Sequence, residues 1–236
     1  IADQGNHRVL RIAPEGKLLG KFGTHGSAPG QFGGAGSKGS RFGGPQFLAF
    51  DRQGNLYTTE APGGRIQRLD VTGKPLAAWG DNSDAPGGFG GRVKPERTPL
   101  PGPIAVWVDR LGRIWVSATN NRVQLFTPEG RYLLTLGGAG DGPGQFRLPH
   151  AIVIDRNDNI YVGDRSNARV QVFDTEGTLL RMFTIDVAPD PKTRAVNGNT
   201  PTGDALARVI GAPNSLCITP GPNQVMFVGE TTYPGR

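Results

Sequence analysis

His150 is the side chain whose type and place could do chemistry. It directly follows Pro149 and opens the short apolar run Ala151–Ile154. Near neutral pH an imidazole can accept a proton, donate one or ligate a transition metal. Three other segments repeat the surroundings of that run, and the positions matching His150 in them are Gln46, Ile104 and Asn214. Gln46, His150 and Asn214 can hydrogen-bond a ligand, whereas Ile104 offers only apolar contact. A zinc centre takes about three protein ligands, so His150 alone among four such positions does not build one. His7 and His25 fall in turns elsewhere in the repeat.

A second pattern is electrostatic. Arg8, Arg65, Arg122 and Arg169 open the similar runs RVLRI, RIQRL, RVQLF and RVQVF, and three of them have an acid five residues earlier: Asp3, Glu60 and Asp164. A guanidinium is a planar fork of donors that suits a carboxylate or a set of carbonyls. A residue present in every copy of a repeat is most simply explained by what the copies share, so these arginines are read as braces between turns. The net charge of +6 comes from scattered basic residues, with no Lys/Arg run interleaved with aromatics. Such charge supplies only nonspecific attraction to nucleic acid. Two motifs are decoys. Asp155–Asn159 begins like a calcium loop, but Ile160 stands where glycine is needed and no Glu closes it. Gly34–Gly39 fits G-x-G-x-x-G without the βαβ pattern that gives that motif meaning. There is no G-x-S-x-G elbow and no paired-cysteine motif.

The elements that must position these groups are short strands. Between Pro149 and Phe183 lie four apolar runs, Ala151–Ile154, Ile160–Gly163, Val170–Phe173 and Leu179–Phe183, separated by turn residues at Asp155–Asn159, Asp164–Arg169 and Asp174–Gly177. Tight turns make them an antiparallel meander, and one such sheet with two apolar faces needs neighbours. The chain supplies them. Asp51, Asp109 and Asp155 end the first strand in FLAFDRQGNLY, AVWVDRLGRIW and AIVIDRNDNIY, and Thr219 takes that place in a looser fourth copy. A unit of four strands repeating every ~50 residues is the signature of a propeller blade.

The phrase running from Asp155 to Gly177 resembles the NHL repeat, with Asp51–Gly73 and Asp109–Gly130 as further copies, the N-terminal ADQGNHRVLRI matching its second half, and Gly142–Phe146 and Pro29–Phe32 resembling its inter-repeat connection. The resemblance implies an all-β propeller of four-stranded antiparallel blades, six when complete. It places full blades at about 45–80, 103–137 and 149–183, with half-blades at 1–23 and 213–236. In such a fold Gln46, Ile104, His150 and Asn214 open successive innermost strands, so they are expected to converge on the mouth of a central channel. Long inter-blade connections at 24–44, 80–102, 137–148 and 184–212 share one face with the turns between second and third strands, and function is expected there. The fourth connection contains ALARVI at 205–210, a candidate helical turn. The Pro149–His150 pair also resembles the Pro-His that opens blades in peptidyl-α-hydroxyglycine α-amidating lyases, where such histidines hold zinc.

Gly and Pro, 37 and 20 residues, fall between strands and act as punctuation. No run of ~18 apolar residues is present to span a membrane as a helix. Cys217 is the single cysteine, which excludes an intrachain disulfide. The chain opens IADQGN rather than with Met and ends at Arg236, in the repeat's Arg position. The two half-blades therefore either close one blade or are the cut edges of a longer propeller. The expected function is a scaffold binding a protein, peptide or small ligand on the loop face. The alternatives are a metal-dependent lyase, with zinc held in part by His150 and calcium as the other candidate ion, and RNA binding by a basic face. The resemblance implies a periplasmic or secreted setting.

Overall fold

A computed structural model describes residues 1–34, 43–61, 63–90, 102–185 and 212–230. The run at 205–210, most of the 184–212 connection, residues 35–39 of the G-x-G-x-x-G motif and Arg236 lie outside them. The chain divides into two compact units, Ile1–Leu136 and Gly137–Arg236.

In the first unit, β1 (Ala2–Asp3), β2 (Arg8–Ile12) and β3 (Leu18–Phe22) form a three-stranded sheet, followed by a short parallel ladder of β4 (His25–Gly26) and β5 (Phe32–Gly33). Two four-stranded sheets follow, each in sequence order. One comprises β6 (Leu48–Phe50), β7 (Leu56–Glu60), β8 (Arg65–Leu69) and β9 (Pro75–Trp79); the other β10 (Pro103–Val108), β11 (Ile114–Ala118), β12 (Arg122–Phe126) and β13 (Tyr132–Gly137). The second unit holds the sheet of β14 (Pro149–Ile154), β15 (Ile160–Asp164), β16 (Arg169–Phe173) and β17 (Leu179–Thr184), and the two-stranded β18 (Pro213–Ile218) and β19 (Met226–Glu230). The four-stranded sheets are the expected blades. The N-terminal sheet has a third strand, because Ala2 and Asp3 still pair with Val9 and Arg8 as the end of a second strand.

Packing grades each blade from inside to outside. β7, β11 and β15 are buried at every position, while β3, β9 and β17 are largely exposed. A strand covered on both faces carries side chains that need no solvent-facing alternation. Between the first two sheets Val9, Phe32, Leu56 and Leu69 form one core. Between the next two, Tyr57, Ile66, Phe89, Val106, Ile114, Val116, Ala118 and Phe126 form another. Phe32, Phe89 and Phe146, each from a Pro-Gly-x-Phe connection, are fully buried. Each such ring contributes about 2 kcal/mol by leaving water, which fastens the connection as well as the core.

The turn aspartates act locally. Asp51 Oδ1 accepts from the Gln53 and Asn55 amides at 3.0 and 2.8 Å, and its Oδ2 from Asn55 Nδ2 at 2.8 Å. Asp155 does the same with Asn157 and Asn159, so the stretch that begins like a calcium loop is the same turn. Thr219 substitutes its hydroxyl, which accepts from the Val225 amide at 2.8 Å. Cys217 lies on the exposed face of β18. No helix among the described residues is long and apolar enough to cross a membrane.

Candidate functional site

Arg65, Arg122 and Arg169 each tie their blade to the connection before it. Arg169 Nε donates to Asp164 Oδ2 at 2.8 Å, Nη1 to the Asp141 carbonyl at 2.7 Å, and Nη2 to the Gly142 and Gln145 carbonyls at 2.9 Å each. Arg65 repeats this with Glu60 Oε1 at 3.0 Å and the carbonyls of Ser27, Ala28 and Gln31. Arg8 Nε reaches Asp3 Oδ2 at 2.6 Å. In the β10–β13 sheet the residue paired with the arginine is Ala118, and Arg122 instead donates to the Asp84 carbonyl at 2.7 Å. Burial pushes the Glu60 carboxyl up, while Arg65, the Gly33 amide and Gln67 pull it back. These cations are engaged with their own loops. The sequence reading missed their partners Gln67, Gln124 and Gln171, all fully buried. Gln171 Oε1 accepts from the Gly144 amide at 2.8 Å and its Nε2 donates to the Gln145 carbonyl at 2.6 Å. The recurring Gln of RIQRL, RVQLF and RVQVF was the available signal.

On this braced frame sit the four blade-opening positions. In the second unit, Pro149 pairs with Asp164 and Ala151 with Gly163, leaving His150 as the extra residue of a register shift. Asn214 is likewise the extra residue between Pro213, paired with Glu230, and Ser215, paired with Gly229. A bulge takes its residue off the ladder and re-aims the side chain. The two meet: His150 Nδ1 lies 2.8 Å from the Asn214 carbonyl oxygen. A carbonyl only accepts, so Nδ1 carries the proton and Nε2 is the ring's acceptor. Burial drives the His150 pKa down to about 4, the Asn214 carbonyl opposes this, and the Arg165 charge adds to it. The ring is therefore neutral at pH 7.

In the first unit, Gln46 and Ile104 are joined through Thr59. The Thr59 carbonyl accepts from the Gln46 amide at 2.9 Å, and its hydroxyl donates to the Ile104 carbonyl at 2.6 Å. Ile104 is buried, and it too falls within a register shift, between Pro103 and Val106. Gln46 Oε1 is buried with no hydrogen-bond partner among the described residues. The structure thus brings the four positions together two by two, each pair within one unit. Among the described residues no three His, Cys, Asp or Glu side chains cluster as metal ligands.

Residues 103–197 match the DUF5128 six-bladed β-propeller family. NHL repeat-containing protein 3 of Homo sapiens is 27% identical over 135 residues, 56% of this chain and 30% of that protein. The chain has the fold of an NHL-type β-propeller. Peptidylglycine alpha-amidating monooxygenase of Rattus norvegicus is 30% identical over 142 residues, covering 56% of this chain and 14% of that protein. Virginiamycin B lyase from Staphylococcus aureus superposes with a TM-score of 0.56 at 15% identity, over 95% of this chain and 57% of that one, a likeness of fold. The NHL-type chain thus spans less than a third of these curated relatives' lengths. Its NHL repeats coincide with the braced sheets, and His150 opens the sheet that carries the fullest copy of the motif.

Proposed function

We propose that this NHL-type propeller chain is a binding scaffold whose blade openings, with the loops braced beside them, recognise a protein, peptide or small ligand. The observation that carries the reading is the register shift that takes His150 and Asn214 off their ladders. Backbone irregularity of this kind is unnecessary for a ladder and useful for presenting a side chain. The ring presents a neutral, oriented imidazole, and neighbouring Asn214 adds an amide able to donate and accept. Such a pair suits a polar, uncharged feature such as a peptide bond. The test is selection of peptides from a displayed random library on full-length protein, followed by affinity measurement on His150→Ala and Asn214→Ala. At least tenfold weaker binding is expected for both. Selected peptides that bind both variants with parental affinity would move the binding surface to the outer loops.

A second reading is favoured by the tautomer. An imidazole whose Nδ1–H is held by a backbone carbonyl is arranged like one that ligates a metal through Nε2. Zinc accepts imidazole nitrogen, whereas calcium prefers oxygen, so His150 fits zinc. The described residues supply no further ligands beside it, and no catalytic step is derived through a metal. Metal analysis of full-length protein decides: stoichiometric zinc that disappears in His150→Ala supports this reading over the first.

A further inference from the structure

His7 and His25 lie against each other in the first unit, ring centroids 4.7 Å apart and planes at 70°. His7 caps the 3-10 turn Gln4–Asn6 in a left-handed conformation, φ 54, and is 8% exposed. His25 belongs to β4, in the connection that follows the same sheet. His7 Nδ1 and His25 Nε2 are both buried, and neither meets a hydrogen-bond partner among the described residues. Buried ring nitrogens in proteins are almost always partnered, and an unmet one calls for an explanation in strain, in function or in a bound water or ion.

Blade construction does not require imidazoles here. In the next sheet the same two positions are Gly64, also left-handed at φ 61, and Asn82, whose side chain lies directly over Gly64. A glycine and an amide satisfy the fold where the first sheet sets two rings with unmet nitrogens. Imidazole is a preferred donor for first-row transition metals and binds copper(II) most tightly of the divalent series.

We infer that His7 and His25 form a two-imidazole site for a divalent transition metal, copper(II) or zinc(II), at the join of the first sheet and its connection. Among the described residues no third His, Cys, Asp or Glu joins them. Two protein ligands leave coordination positions for water or for a donor atom of a bound molecule, so the site is open, unlike a closed structural zinc. It does not depend on the function proposed for the His150–Asn214 pair.

The test uses full-length protein with Cys217→Ser, which removes the exposed thiol as a competing ligand. Copper(II) is titrated and followed by electron paramagnetic resonance. The expected result is one equivalent bound with nitrogen hyperfine structure from two imidazoles, and uptake at least tenfold weaker in His7→Gln and His25→Gln. A measurement on otherwise unaltered protein guards against variants that fail to fold. Copper or zinc should protect His7 and His25, mapped by mass spectrometry, from acylation by diethyl pyrocarbonate. Uptake unchanged in both variants, coupling to a single imidazole, or protection of His150 alone would each overturn the assignment.

Discussion

A single proton on His150 links its chemistry to stability. Its folded pKa of about 4 lies below the ordinary histidine value of 6.5, so between those limits the unfolded chain binds a proton that the folded chain refuses. Stability from this residue is fully present above about pH 6.5 and is lost as pH falls toward 4, by at most roughly 3 kcal/mol. Urea midpoints measured from pH 7 to 4 should therefore fall less steeply in His150→Gln than in the parent, and parallel curves would contradict the burial described. Sequence placed His150 at a blade opening because Pro149 and Ala151–Ile154 flank it. It could not show the tautomer, which is set by the carbonyl of Asn214, far along the chain. Gly130 gives a second single-residue case. It turns at φ +91 beneath the Trp79 ring, where an added Cβ would lie 2.5 Å from the indole, whereas Gly16 turns at φ +87 with nothing within 4 Å. Gly16→Ala should cost only the left-handed penalty of about 1 kcal/mol. Gly130→Ala should cost about 3 kcal/mol, because a closely packed core resists the added atom. Equal losses in denaturation would show that the indole moves aside freely.

The element that recurs most faithfully is the brace from third strand to connection, and its legibility was partial for a physical reason. The arginines and the acids five residues before them could be read, since charge and spacing are properties of the chain. The carbonyls of Asp141, Gly142 and Gln145 carry no side-chain signature, so the greater part of the Arg169 network was invisible. Comparing sheets separates what the carboxylate contributes. Asp164 is fully buried and Arg169 8% exposed, so removing one partner strands a charge, at a cost of about 3 kcal/mol or more. Arg122 pairs across its turn with Ala118 and holds a carbonyl instead. Arg169→Met should therefore lower stability by about 3 kcal/mol and Arg122→Met by about 1 kcal/mol. Comparable losses from urea unfolding would mean that carbonyl contacts, rather than the buried ion pair, set the strength of the brace.

Across the whole molecule the repeat made the sheet plan readable. Three copies of strand, Asp turn, strand, Arg strand and Gly turn fix which residues pair, and the four-stranded sheets stand where those copies fall. The blade openings were harder, because a register shift such as that at Pro103–Val106 has no composition of its own. Stability should follow the same radial plan. β11 and β15 have neighbours on both edges and are buried at every position, while β9 and β17 end their sheets and are mostly exposed. In a repeat architecture each blade leans on its neighbours through the inner strands, so local opening begins at the outer edge. Amides of β9 and β17 should then exchange with solvent at least tenfold faster than hydrogen-bonded amides of β11 and β15. Native-state hydrogen exchange read by mass spectrometry separates the alternatives. If β17 exchanges as slowly as β15, each sheet opens only as a single cooperative unit, and the radial grading of burial has no counterpart in local stability.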